Sequence, residues 1–220
     1  MKNNIEVLYE DNHLLVVNKP INIPVQEDNS KDLDFHNMLK SYIKEKYNKP
    51  GNVYLGLVHR LDRPVSGVMV FARTSKCASR LSEQIRVGKF NKVYYAVVEG
   101  KIENSGILEN KLLKDTKNNI VRVDPNGKDS KLEFKKLKEK DNLSLLEIKL
   151  YTGRAHQIRV QLSYKGNPLY GDQKYNKNAH AHEQIALLAK KLEFYHPITN
   201  EIMSFSIDLP DRYPFNLFKE

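Results

Sequence analysis

The chain has 220 residues, a formal net charge of +9 from 36 Lys+Arg against 27 Asp+Glu, and a single cysteine. The lone Cys77 excludes an internal disulfide framework, and no apolar run approaches the ~18 residues of a membrane-spanning helix. Strand patterning begins by residue 5 and leaves no room for a signal peptide, so a cytoplasmic chain without membrane attachment is expected. This length suits one large domain with a real core. The basic balance favours an anionic partner such as nucleic acid. Richness in Lys and Asn together is also what an AT-rich genome produces, so charge alone decides little.

In chain order, residues 5–9 and 14–18 read as short strands joined by a Glu-Asp-Asn-His turn. Residues 19–25 form an extended loop, because Pro20 and Pro24 block both helix and sheet ladder. Leu33, Phe35, Met38, Leu39, Tyr42, Ile43 and Tyr47 recur at helical spacing and predict a helix over 32–47. Strands are expected at 53–58 and 68–73. Thr74 or Ser75 then caps a helix with Ala78, Leu81 and Ile85 on one face and Gly88 as its stop. Further strands are expected at 92–100, 107–113, 120–123, 131–137 and 144–150. Thr152-Gly153 opens a helix over 154–164, and residues 165–168 close it. The polar, His-rich stretch 172–183 reads as a loop, and strands at 185–194 and 203–207 follow. Adjacent strands with few helices indicate an α+β fold and not a regular βαβ alternation.

Chemistry concentrates in three segments. Val58-His59-Arg60-Leu61-Asp62-Arg63-Pro64-Val65-Ser66-Gly67 sets an imidazole, two guanidiniums and a carboxylate between apolar strand runs. Charge at a core edge is costly unless paired, so this stretch is a candidate functional site. The second segment is the strand-like run from Lys92 to Gly100, with Tyr94, Tyr95 and Ala96. The third is Thr152-Gly153-Arg154-Ala155-His156-Gln157-Ile158-Arg159-Val160. In the expected helix His156 and Arg159 share one face, while Ala155, Ile158 and Leu162 make an opposite, buried one. A helix N-terminus beside Arg154 and His156 suits a phosphate. A solvated basic face is the plainer alternative for that segment alone.

Taken together and in this order, the three segments resemble the RluA-type pseudouridine synthases, which isomerise uridine in RNA. The matching residues are His59-Arg60-Leu61-Asp62 followed by Ser66-Gly67, then Tyr94-Tyr95-Ala96, then Thr152 to Arg159. Lys19-Pro20, Gly171-Asp172 and His196-Pro197 also match. Three positions depart from the family pattern and bear on substrate preference. Pro64-Val65 stands where a Thr usually precedes Ser-Gly, Gln161 replaces a usual His, and Leu188 replaces the His of a Leu-His-Ala run. The resemblance implies the pseudouridine synthase catalytic fold, a mostly antiparallel, bent, mixed sheet flanked by helices with a central cleft, in a single domain spanning 1–220 with no separate N-terminal RNA-binding domain. It also implies ribosomal or transfer RNA as partner, no cofactor and no metal. A monomer is expected.

The resemblance also assigns roles. The family's essential Asp maps to Asp62, a carboxylate that can stabilise or attack the sugar as the glycosidic bond breaks. Whether it attacks sugar or base, or removes a proton, stays open. Arg159 is the expected partner that keeps Asp62 ionised through a bidentate pair. Tyr94 is the expected base for the final proton loss and a stacking platform for the uracil. Arg60 is expected to assist the flipped-out nucleotide, and His59 to fix the Asp62 loop. Leu187 is expected to pack against the base, with plain core as its alternative. Clusters at residues 73–80, 86–92 and 135–140 can contact phosphate. Two other functions compete: a non-catalytic RNA-binding or ribosome-assembly protein, and a hydrolase, which would need a second carboxylate beside Asp62.

Overall fold

The run Leu14-Leu15-Val16-Val17 is apolar at every position and buried at every position. A strand patterned this way must be covered on both faces. In the computed structural model, which describes residues 5–27 and 32–219, it is an inner strand. Residues 1–4, part of the N-terminal stretch used to argue against a signal peptide, lie outside the described residues. The elements are β1 (Glu6–Glu10), β2 (Leu14–Lys19), α1 (Phe35–Lys46), β3 (Gly56–Leu57), β4 (Ser66–Ala72), α2 (Ser75–Arg86) and β5 (Asn91–Glu99). They continue with β6 (Ser105–Asp115), β7 (Ile120–Val123), β8 (Lys128–Lys140), β9 (Leu143–Leu150), α3 (Gln157–Lys165), β10 (Leu187–Tyr195) and β11 (Ile202–Ser206). A short 3-10 turn, Phe215–Phe218, comes last. The fold is α+β. Among the described residues no helix is long and apolar enough to cross a membrane.

The chain divides into two units, Met1–Asn91 with Ala189–Ile207, and Lys92–Leu188 with Asp208–Glu220. In the first, β2 pairs antiparallel with β1 and with β4, in a register that sets Leu15 against Phe71 and Lys19 against Gly67. β10 lies beyond β4, and β11 pairs with β10. Leu14, Val16, Val68, Val70, Cys77, Leu81, Phe90, Leu192 and Phe194 form one buried cluster. α2 starts where expected, with Thr74 Oγ1 accepting from the Cys77 N–H at 3.2 Å. α1 begins at Phe35 rather than residue 32, because Asp34 is its cap and accepts from the Asn37 N–H at 3.0 Å. The strand expected at 53–58 shrinks to Gly56–Leu57. Tyr54 is exposed, and a Cβ at Gly56 would lie 2.9 Å from that of Ala78, so the chain fits there only as a close glycine crossing.

In the second unit the strand order is β5-β9-β8-β6-β7, with each of these pairings antiparallel. Tyr94 sits opposite Ile148, and Phe134 on β8 opposes the same residue. β8 outruns its expected bounds at both ends, pairing with β6 from Lys128 on and continuing its ladder with β9 past an irregularity between Lys136 and Lys138. α3 is the clearest departure from expectation. It starts at Gln157, with His156 as a left-handed cap at φ 51°. Arg154 and Ala155 therefore precede the helix, and Ala155 is exposed rather than buried. Gln157 to Leu162 are all buried, so the two-faced pattern expected for this helix does not form. At the start of the helix the Gln157 side chain folds back over the preceding loop. Its Oε1 accepts from Thr152 Oγ1 at 2.8 Å and from the Arg154 N–H at 3.0 Å. Its Nε2 donates to the Lys131 carbonyl at 3.1 Å.

Candidate active site

In the first unit the His59–Gly67 loop is pinned at several points. Leu61 and Val65 are buried, and the Val65 N–H donates to the Asp62 carbonyl at 3.0 Å, closing a turn over Arg63-Pro64. Gly67 follows at φ 134°, where a Cβ would come within 2.3 Å of the Ala189 carbonyl oxygen, so only glycine fits. Asp62 is half-buried between these anchors. His59 Nε2 accepts the Val70 N–H at 3.1 Å, and its ring packs 5.4 Å from Phe90. That contact ties the start of the loop to β4. Arg60 is exposed and donates to Gln26 Oε1 at 3.2 Å. Arg63 pairs with Asp32 at 2.6 Å on the surface. The Pro64-Val65 departure thus has a structural account: Val65 is the buried anchor of the turn.

Beneath this loop lies a residue whose environment sequence reasoning missed. Lys19 ends β2 and is fully buried. Its Nζ donates to the carbonyls of Pro20 (2.8 Å), Arg63 (3.2 Å) and Val65 (2.9 Å). Burial pushes its ammonium down to about 7, partly offset by the Asp62 carboxylate, with Arg63 pushing the same way as burial. The sequence signal is a lysine that closes an apolar strand and matches the family's Lys-Pro pair, a pattern that by itself assigns it no partners.

In the second unit, Tyr94 is buried on β5. Lys92, two positions earlier and so on the same face of the strand, is half-buried without a hydrogen-bond or ion-pair partner among the described residues, and burial alone lowers its pKa. A Cβ at Gly153 would lie 3.4 Å from Lys92 Nζ, so the ammonium faces the Thr152-Gly153-Arg154 loop. Arg154 is exposed, its Nε donating to the Asp129 carbonyl at 2.9 Å. Arg159 is buried and grips Asp172 in a bidentate pair. Its guanidinium also lies 5.2 Å from the centre of the Tyr175 ring. His156 Nδ1 is 2.6 Å from the Tyr175 hydroxyl, which accepts the Val121 N–H at 2.9 Å. Leu187 is buried at the start of β10. Gln161 and Leu188, the other two departures, are buried, and Gln161 Nε2 donates to the Leu108 carbonyl at 3.1 Å and to Asn110 Oδ1 at 2.8 Å.

The structure thus gathers His59, Arg60 and Asp62 on one anchored loop. It gathers Arg154, His156 and Arg159 around the start of α3, with Asp172 and Tyr175 as unforeseen supports. Among the described residues no group of three or more His, Cys, Asp or Glu could hold a metal ion.

Two solved structures share this architecture. Human RNA Pseudouridylate Synthase Domain Containing 4 matches with a TM-score of 0.81 over 97% of this chain and 92% of that one, at 22% identity. Human RNA Pseudouridylate Synthase Domain Containing 1 matches with a TM-score of 0.76 over 93% of this chain and 83% of that one, at 23% identity. The fold is therefore that of a pseudouridine synthase. In sequence, the family model described as RNA pseudouridylate synthase matches residues 13–164. A ribosomal large subunit pseudouridine synthase C from Vibrio vulnificus is 33% identical over 94% of this chain. An uncharacterized RNA pseudouridine synthase from Bacillus subtilis is also 33% identical over 94% of it. The chain belongs to the RNA pseudouridylate synthase family. It spans 66% of the length of the Vibrio relative and 69% of the Bacillus one.

Proposed function

We propose that this chain isomerises specific uridines in structured RNA to pseudouridine, with Asp62 as the reactive carboxylate. The observation that carries the proposal is the family match over residues 13–164, which includes Asp62 on a loop anchored at both ends. The reaction breaks the bond from ribose C1′ to uracil N1, turns the base and joins C1′ to C5. The proton lost from C5 balances the one gained at N1, so no redox partner or hydrolytic water is consumed, and no cofactor is proposed. A carboxylate answers the positive charge that builds on the sugar as the bond breaks.

Tyr94 is proposed to stack on the uracil and take the C5 proton. Arg159 supplies positive charge to the reaction, as the motif resemblance implies, and Asp172 fixes its orientation. Arg60, exposed beside Asp62, is suited to the flipped nucleotide, and His59 holds their loop. Leu187 packs against the base. Arg154, His156 and Lys92 are proposed phosphate contacts, Lys92 because an unpaired, half-buried ammonium gains most from an anion. Several relatives are named ribosomal large subunit pseudouridine synthases. Large-subunit ribosomal RNA is accordingly the first substrate to try, with the chain acting as a monomer in the cytoplasm.

The test is incubation with large-subunit ribosomal RNA transcribed in vitro, followed by chemical mapping of pseudouridine. Conversion by wild type but not by Asp62→Asn is expected. RNA binding without conversion by wild type, on this RNA and on transfer RNA, would favour the non-catalytic alternative.

A further inference from the structure

We propose that Tyr151 is a stacking platform for an unpaired base of the RNA, beside the target uridine, with Lys149 and Lys131 taking the phosphates next to that base. This rests on RNA being the substrate, as proposed above. Tyr151 directly follows β9 and directly precedes the Thr152-Gly153-Arg154 loop. Its side chain is at the surface, with the residue 49% exposed. An exposed tyrosine is ordinarily free to change rotamer, but this one is held. Its hydroxyl donates to Glu133 Oε2 at 2.7 Å, and its N–H donates to the Lys131 carbonyl at 3.1 Å. The next residue is clamped to the same place, since Thr152 Oγ1 accepts the Lys131 N–H at 2.8 Å. The ring is therefore fixed before any ligand arrives, which lowers the ordering cost of binding.

Two ammoniums stand over this ring, Lys149 Nζ at 5.1 Å from its centre and Lys131 Nζ at 5.7 Å. Lys149 lies two positions before Tyr151 and so on the same side of the strand. Its register partner on β8 is Glu133. That carboxylate bonds the tyrosine instead, and Lys149 has no hydrogen-bond or ion-pair partner among the described residues. Lys131 pairs with Glu109 at 2.6 Å, but both side chains are exposed, and such a pair is readily exchanged for a phosphate. Glu147, the remaining carboxylate on this face of β9, accepts from Tyr95 Oη at 3.4 Å.

A ring alone would suit any apolar partner. A fixed ring rimmed by ammoniums suits a nucleotide, whose base offers a π face and whose phosphate offers the charge. Stacking of a base outweighs an exposed cation–π contact, so the base takes the ring and the displaced ammonium moves to the phosphate. The surface is continuous with the phosphate contacts proposed above, because Lys92 Nζ faces Gly153 and Arg154 is exposed. Tyr94 sits opposite Ile148, whose side chain points to the other face of β9 from that of Lys149. Tyr151 is thus a second aromatic surface, outside the pocket given to the uracil.

The experiment measures the Kd of in vitro transcribed large-subunit ribosomal RNA at several salt concentrations. Tyr151→Ala should bind roughly five- to hundredfold more weakly, with the slope of log affinity against log salt unchanged. Tyr151→Leu, which keeps apolar bulk at the end of the strand, should lose as much, and Tyr151→Phe, which keeps the ring, should recover most of the loss. Lys149→Gln should lower the salt slope by about 1. Wild-type affinity in Tyr151→Leu, or a loss in Tyr151→Phe as large as in Tyr151→Ala, would overturn the platform, and conversion by wild type would then leave the function intact. Weaker binding by Tyr151→Ala and Tyr151→Leu beside no conversion by wild type, on this RNA and on transfer RNA, would count against the function alone.

Discussion

Arg159 and Asp172 form a fork-to-fork pair, Nε to Oδ2 at 2.8 Å and Nη2 to Oδ1 at 2.6 Å, with the Asp172 side chain fully buried and that of Arg159 nearly so. Asp172 also accepts the Lys174 N–H at 3.1 Å, so it ties the loop after α3 to the helix. Removing one member of such a pair strands a buried charge, which costs about 3–5 kcal/mol. Asp172→Asn should lower the urea midpoint accordingly and depress turnover. Wild-type stability in this variant would mean that the pair contributes nothing to the fold.

Asp62 stands in a different setting, half-buried on a loop held by other residues. Asp62→Asn keeps its shape, so stability should change by less than about 1 kcal/mol. Pseudouridine formation should fall by roughly three orders of magnitude or more. Chemical unfolding beside a conversion assay separates the two effects, and residual turnover near wild type would remove Asp62 from the chemistry.

Tyr94→Phe deletes one hydroxyl from a buried ring on β5. The aromatic surface for stacking survives. RNA affinity should therefore hold while conversion drops about 10²–10⁴-fold, the range for a lost general base. Comparable loss of affinity and rate would point to a binding role instead.

Lys92 brings an ammonium without a hydrogen-bond or ion-pair partner among the described residues to the face of β5 that carries Tyr94. If a phosphate takes it up, Lys92→Gln should raise KM and reduce the slope of log affinity against log salt by about 1. The same contact raises the lysine's pKa, so RNA binding at alkaline pH should be accompanied by proton uptake that the variant lacks. Titration calorimetry in buffers of different ionisation enthalpy reads this directly.

Lys19 should make stability depend on pH. Its ammonium ordinarily titrates at 10.5 and in the fold at about 7. Between those values the unfolded chain binds the proton and the folded chain does not, so stability rises with pH. Below about 7 the whole burial penalty is felt, and above 10.5 none. The stability of wild type minus that of Lys19→Met should climb across this window, by an upper limit of about 5 kcal/mol at about 1.4 per pKa unit. A flat difference would show that Lys19 does not titrate there.

Much of this molecule was legible residue by residue. β7 falls on its expected bounds, α2 is capped by Thr74, and β2 is the apolar run it looked to be. These features depend on local periodicity and capping, which neighbours in the chain specify. Asp62, Tyr94 and Arg159 stand in an ordered motif set, and the family match agrees with the family that this set resembles. The start of α3 was not legible, since it turns on Gln157 reaching back to Thr152 and across to Lys131. Nor was the partnership of Arg159 with Asp172, although Gly171-Asp172 belongs to the motif set.

By itself, then, the sequence determined the element types, the basic character and the identity of the chemical groups, because each is carried by a side chain in its own local context. Tertiary structure alone decided which buried groups support them. Lys19 meets the carbonyls of Arg63 and Val65 across 44 and 46 positions of chain. Carbonyls are the same on every residue, so nothing in the letters marks which of them a folded chain leaves waiting for a donor.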